Sequence, residues 1–201
     1  MPAFPGRPTT TPGRRPAIAA VKSVTDLPAG TRDALSRATS MLDAAEAQGH
    51  PYLMSQALAQ VARCYRDIGA LAGAETGLEL ALRWARAAGS ADPCAELLCE
   101  LAETAVTLGE SLRGDDPAAA RAALDRARDH AFEASRLASR VADPDWEPTV
   151  LLRLSDVLHR CGDHDDACAL QTRALRLLGG GSHLPAAEPE PASGHGRRAD
   201  G

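Results

Sequence analysis

Apolar residues recur along this chain at intervals of three and four, and glycine or proline interrupts the pattern between segments. The first such segment predicts a helix over 31–48, with Leu35, Ala38, Leu42 and Ala45 on one face. Thr31 is its expected N-cap and Gly49 its expected C-cap.

Six further helices follow from the same pattern and its interruptions. They are expected over 52–68, 71–88, about 93–112, 117–141, 148–161 and 165–178. Asp116 is positioned to cap the fifth of them, with Pro117 in its first turn. If Gly69, Gly109 and Gly162 mark turns, similar segments recur after 40 and 53 residues, which is typical of a stacked helical array.

Composition supports helices packed closely together. Aromatic residues make up only 3 % of the chain, so the core must consist mainly of alanine and leucine. We predict a disordered leader over 1–28, one helical domain over 29–178 and a disordered tail over 179–201, because proline, glycine and polar residues dominate both ends.

Two of the predicted hairpins carry small and large residues at matching offsets from a turn glycine. The first arranges them around Gly69, in the order Leu58, Val61, Ala62, Tyr65, Ala74, Leu78 and Ala81. The last repeats the order around Gly162, with Leu151, Leu154, Ser155, Leu158, Ala167 and Ala174. Small residues allow two helix axes to approach, and larger ones fill the space beside them.

These residues resemble the tetratricopeptide repeat (TPR) family over about residues 52–178. The middle unit departs from the pattern: its second helix fits only from Ala120, so Glu110–Asp115 is an insertion that implies longer helices or a longer turn. Gln171 also stands where the family has phenylalanine. The resemblance implies an all-α solenoid of about three helical hairpins, with the first helix as an N-terminal cap.

In TPR arrays the first helix of each hairpin lines a concave groove. Carrying that register over implies eleven groove residues, namely Gln56, Gln60, Arg63, Arg66, Glu96, Glu100, Glu103, Arg153, Asp156, His159 and Arg160. One hypothesis is that the arginines bind acidic groups of a peptide while the glutamates recognise a basic residue. The other is that these arginines and glutamates pair with each other between neighbouring helices.

Charge disfavours nucleic acid as a partner. The net charge of the whole chain is −5; residues 1–30 carry +3 and residues 179–201 carry −1, which leaves −7 for the helical body. An acidic body repels a phosphate backbone. We also expect no membrane partner, because no apolar run approaches the length of a membrane span and no signal peptide is recognisable.

Five cysteines without paired spacing predict reduced thiols and a cytoplasmic location. Lys22 is the only lysine beside many arginines, which indicates a bacterial source with GC-rich DNA. The segment containing Cys161, His164 and Cys168 has residue types that bind zinc or act as nucleophiles, but it lacks a second ligand pair. We therefore expect no metal, no cofactor and no catalysis.

The function that these observations predict is a non-catalytic adaptor that binds a protein or peptide in the groove. The alternatives are an oligomerising structural module, whose apolar end helix pairs with another copy, and a metal or thiol enzyme that uses Cys161, His164 and Cys168.

Overall fold

A computed structural model describes residues 28–141 and 145–179. Within them lie seven helices: α1 (Ala29–Gln48), α2 (Pro51–Asp67), α3 (Leu71–Ala88), α4 (Ala91–Leu112), α5 (Pro117–Ala138), α6 (Trp146–Cys161) and α7 (His164–Gly179). Each packs against the next in sequence, so the prediction of an all-α array of helical hairpins is confirmed. Apart from residues 28 and 179, the predicted leader and tail fall outside the described residues.

Four short turns separate the helices at glycines with a left-handed backbone. Gly49, Gly69, Gly89 and Gly162 have φ between 63° and 92°, a region that other L-residues rarely adopt. The predicted end of the fourth helix near residue 112 is confirmed, because α4 continues to Leu112, so Gly109 lies inside the helix and does not mark a turn of the repeat. The middle hairpin therefore departs from the others through longer helices, since α4 and α5 each have 22 residues.

Both predicted N-caps can be checked. Asp116 caps α5 as expected, with its carboxylate accepting a hydrogen bond of 3.0 Å from the backbone N–H of Ala119. The Thr31 cap is wrong, because α1 begins two residues earlier, at Ala29, after an extended Pro28.

The main core runs through α2 to α7 and consists chiefly of alanine and leucine. Helix α4 lies at its centre, because it packs against α3, α5 and α6 and buries Leu98 and Leu101 completely. A smaller cluster around Met54, Ala57 and Ala45 attaches α1 to α2. Helix α1 thus covers the N-terminal end of the array, and the hairpins α2–α3, α4–α5 and α6–α7 follow.

Helices α2 and α3 pack closely at Gly77. A Cβ atom added there would lie 2.9 Å from the Cβ of Ala62, which is fixed to the backbone of α2. We expect Gly77→Ala to lower the free energy of unfolding by up to about 2 kcal/mol, since overpacking costs about 1–3 kcal/mol and the gain in helix propensity offsets only about 1 kcal/mol of it. Urea denaturation measures this change.

Gly73 provides a matched control, because it lies four residues earlier in the same helix and its added Cβ would meet nothing closer than 3.9 Å. Gly73→Ala should therefore raise the free energy of unfolding by about 0.5–1 kcal/mol. Equal effects at the two positions would contradict the close packing of α2 on α3.

Candidate peptide-binding groove

Helices α2, α4 and α6 carry all eleven predicted groove residues. Between α2 and α4, the Arg63 guanidinium donates to both carboxylate oxygens of Glu100, over distances of 2.5–3.1 Å. Arg66 lies 3.9 Å from Glu100 and from Glu103. The hydrogen bonds to Glu100 raise the pKa of Arg63 against the opposing effect of burial.

Between α4 and α6, Arg153 forms a second bridge. Its guanidinium donates to Glu103 over 2.8 and 3.1 Å and to Glu96 over 3.0 and 3.3 Å. These bonds raise the pKa of Arg153, with the hydrogen bond to Glu103 as the largest cause. We call the six residues Arg63, Arg66, Glu96, Glu100, Glu103 and Arg153 the charge ladder; it contains three cations and three anions and joins α2, α4 and α6.

Closer to the α6–α7 turn, Arg160 donates to both oxygens of Glu110 over 3.0 and 2.6 Å. This bonding lowers the pKa of the Glu110 carboxyl. Asp156 lies 3.7 Å from Arg160 and remains exposed. The pairing of groove arginines with groove carboxylates corresponds to the second of the two hypotheses, in which neighbouring helices pair with each other.

Part of the predicted face lines an open groove of about 390 Å³ between α1, α2 and α4. Gln56, Gln60, Arg63 and Glu96 contribute to its wall. Its remaining lining residues are Met41, Ser55, Ala59, Pro93 and Leu97. The groove thus combines amide, charged and apolar side chains.

The groove continues towards the N-terminal ends of α2, α4 and α6. An adjoining depression shares Pro93 and Glu96 with it and is otherwise lined by Tyr52, Asp92, Val141 and Trp146. The register of the predicted first helices missed Met41, Tyr52 and Trp146. Met41 was missed because α1 was treated only as a cap, although its exposed face borders the groove.

The amide side chains in the groove are only partly engaged. Gln56 donates to the Tyr52 hydroxyl over 2.6 Å, and Gln60 accepts a long bond of 3.5 Å from Arg63. Within the described part of the chain, the side-chain nitrogen of Gln60 has no hydrogen-bond partner. Each amide nitrogen has two donors, so Gln56 and Gln60 retain capacity for a ligand.

The cysteine and histidine segment does not converge on one point. His159 and His164 approach each other across the α6–α7 turn, with 3.0 Å between their Nδ1 atoms. Cys161 instead lies half-buried with its sulfur 3.7 Å from the Leu124 carbonyl oxygen, and Cys168 is exposed on α7. Across the described residues, no three histidine, cysteine or acidic side chains are grouped as metal ligands.

The buried thiols are weak nucleophiles in this fold. Burial raises the pKa of Cys99 to about 12, and it also raises the pKa values of Cys64, Cys94 and Cys161. The raised pKa values keep these four thiols protonated near neutral pH. Because the thiolate is the reactive form, the four cysteines are poor nucleophiles.

The described chain thus belongs to the class of all-α helical-hairpin arrays. No protein-family model matches it, and a search of curated proteins finds no match either. Among solved structures, BtubC (BKLC) from P. vanneervenii is 20 % identical, with 86 % of this chain and 82 % of that chain covered and a TM-score of 0.37. A structure described as a DHF58 filament is 24 % identical, with coverages of 78 % and 84 % and a TM-score of 0.48.

Neither superposition is close enough to assign a function or an assembly to this chain. In the part of the chain that the structure describes, none of the helices combines the length and hydrophobicity needed to span a bilayer.

Proposed function

We propose that this protein is a TPR-like, non-catalytic adaptor that binds an extended segment of another protein in the groove between α1, α2 and α4. The observation that supports this proposal is the convergence of Gln56, Gln60, Arg63 and Glu96 on the wall of one groove. The register carried over from the TPR family includes these four residues among its eleven groove positions.

The internal pairing of the charge ladder indicates which ligand chemistry the groove favours. An acidic peptide would have to compete with Glu100 for Arg63 and with Glu103 for Arg153, and both carboxylates are already in hydrogen-bonding geometry. Uncharged groups of a peptide would not have to displace these carboxylates. We therefore propose that the amides of Gln56 and Gln60 bind the peptide backbone, while an apolar side chain of the ligand packs against Met41.

The compartment and source belong to the same proposal. All five cysteines have free thiols in the structure, as a reducing environment would leave them. This supports a cytoplasmic protein, and the arginine-rich, lysine-poor composition supports a bacterial one.

A peptide-display selection on the full-length protein tests the groove directly. The variant carries Met41→Glu and Gln60→Glu, which places two carboxylates in the groove and leaves the six residues of the charge ladder themselves unchanged, although the carboxylate at position 60 adjoins Arg63. We expect the affinity of the selected peptides, measured by fluorescence anisotropy, to fall about tenfold or more. Arg63 is left unchanged, because its reversal would bring a second carboxylate against the buried Glu100.

Leu80→Glu is the matched control. Leu80 is 41 % exposed and Met41 is 47 % exposed, but Leu80 lies on α3, which does not line the groove. Selected peptides should bind this control as they bind the wild type. Failure to enrich any peptide, or peptides that bind the groove variant unchanged, would contradict the proposed function.

A further inference from the structure

The last helix exposes leucines at positions that the array normally buries. Leu175 is 60 % exposed and Leu178 is 58 % exposed. Both lie on the final two turns of α7, which packs chiefly against α6. Exposed leucines scattered over a surface need no explanation, but two adjacent on one helix mark a face that lacks a partner.

Comparison of α7 with α3, the second helix of the first hairpin, shows what kind of element would cover the exposed leucines of α7. Counted from their turn glycines, Gly162 and Gly69, the two helices bury alanines at the same offsets, as Ala167 with Ala74 and Ala174 with Ala81. By the same count, Leu175 corresponds to Leu82 and Leu178 to Ala85. Leu82 is 4 % exposed and Ala85 is fully buried, and the next hairpin packs on α3 through α4.

Helix α6 shows the same loss of a neighbour. Its Leu151 and Leu154 follow Leu98 and Leu101 of α4 by 53 residues, so Leu152 corresponds to Cys99. Cys99 is fully buried in α4, which packs on α6, whereas Leu152 is exposed. Leu152, Leu175 and Leu178 together form what we call the end face, the surface on which a further hairpin would stack.

The opposite end of the array is covered and polar. Helix α1 buries Ala38 and Ala45 against the array, and its outward residues include Arg37, Asp43 and Glu46. Met41 is the only large apolar residue that α1 exposes. A second copy stacked head-to-tail would therefore bring a polar helix against the leucines of the end face, which is a poor match.

The residues that follow α7 in the sequence are equally poor candidates to cover the end face. Glycines occupy positions 179–181, and Pro185, Pro189 and Pro191 interrupt any helix beyond them. Between 180 and 201, Leu184 is the only large aliphatic residue. This composition does not provide a second apolar helical surface.

We propose that the end face binds the end face of a second copy of this chain, forming a two-fold symmetric dimer. A two-fold axis parallel to the helices would place α7 of one copy on α6 of the other. The end of α7 lies beside the start of α6, as the ion pair of Arg173 with Glu147 shows. Leu175 and Leu178 would then pack near Leu152 of the second copy, so one surface supplies both halves of the contact.

This arrangement repeats packing already present within the chain. The second helix of one hairpin packs on the first helix of the next at α3–α4 and at α5–α6. In the dimer, α7 takes the role of α3 or α5, and α6 of the second copy takes the role of α4 or α6. The contact therefore continues the array across the two-fold axis.

The area that α6 and α7 present around the end face indicates a weak dimer. Helices α6 and α7 have 16 residues each, so their length is roughly 24 Å at 1.5 Å per residue. Side by side, at about 10 Å each, they present a footprint of roughly 480 Å². Stable complexes bury about 800 Å² per partner, so the proposed dimer lies at the weak end and should depend on concentration.

Sedimentation equilibrium of the full-length protein, from about 1 µM to about 1 mM, tests the proposal. The apparent mass of the wild type should rise with concentration from 21.0 kDa towards twice that value. The double variant with Leu175→Asp and Leu178→Asp should keep the monomer mass over the whole concentration range. Both side chains are exposed, so the double variant should keep the helical circular dichroism of the wild type.

Leu80→Asp is the matched control, since it adds a charge to an exposed leucine of α3, and this variant should dimerise like the wild type. Leu184→Ser should also dimerise normally. A wild type that stays monomeric at every concentration overturns the proposal, and so does a double variant that dimerises undiminished. The wild type could also stay monomeric while Leu184→Ser lowers the hydrogen-exchange protection of the α7 amides. That result would overturn the dimer and show that residues 180–201 cover the end face instead.

This dimer is separate from the groove. The groove variant with Met41→Glu and Gln60→Glu should dimerise like the wild type, and the double leucine variant should bind selected peptides like the wild type. The two proposals can therefore fail independently.

Discussion

Replacing Glu100 with lysine is expected to lower the free energy of unfolding by about 3 kcal/mol or more. Glu100 is only 3 % exposed, and its carboxylate accepts from Arg63 and lies near Arg66. Lysine would place a third cation between these two arginines and remove the anion that compensates them. Urea denaturation followed by circular dichroism measures the loss.

Glu133→Lys is the matched control for this reversal. Glu133 also pairs with an arginine of another helix, Arg86, at 2.6 Å, but the side chains of Arg86 and Glu133 are 52 % and 36 % exposed. Solvent screens such pairs, so the control should lose less than about 1 kcal/mol. Glu100→Gln removes the charge while keeping the shape, and it should lose about 1.5–3 kcal/mol. Equal losses for Glu100→Lys and Glu133→Lys would show that burial does not govern the charge ladder.

Replacing Leu101 with alanine should lower the free energy of unfolding by about 2–5 kcal/mol. Leu101 is fully buried in α4, the helix that packs against α3, α5 and α6. Removing its side chain leaves a cavity that three neighbouring helices cannot all close at once. Thermal or urea denaturation, compared with the wild type, gives the value.

Leu80→Ala is the corresponding control, because the same atoms are removed from an exposed position of α3. The expected change is within about 0.5 kcal/mol. A similar small change for Leu101→Ala would contradict the central position of α4 in the core.

The charge ladder connects stability to the proposed binding role. It joins the three helices that carry the predicted groove positions, so it holds the spacing between α2, α4 and α6. Each of its three arginines also lies within 3.9 Å of a ladder carboxylate, so an acidic ligand would have to compete with these carboxylates. The same six side chains therefore contribute to stability and underlie the proposed preference for a neutral ligand.

The helices and most of their ends were determined by the sequence alone. Helical periodicity, Gly49, Gly69 and Gly162 at the turns and Asp116 as a cap act within a few residues, so local reasoning locates them. The use of Gly109 as a turn marker in the repeat spacing was wrong for the same reason. Glycine in a helix resembles a turn signal locally, whereas the reason for its presence is a neighbour distant in sequence, since an added Cβ would lie 2.9 Å from Leu124.

Only the tertiary structure decided how the charged and apolar surfaces are used. The register placed Arg63, Glu100 and Arg153 on one face of the array, but their pairing depends on the distances between α2, α4 and α6. The same holds for Met41, which borders the groove, and for Leu175, which is exposed because no further hairpin among the described residues packs on α7 beyond its contact with α6. Helical periodicity predicts which face of a helix a side chain lies on. Which residues it contacts depends on the distance between separate helices, and a local sequence pattern carries no information about that distance.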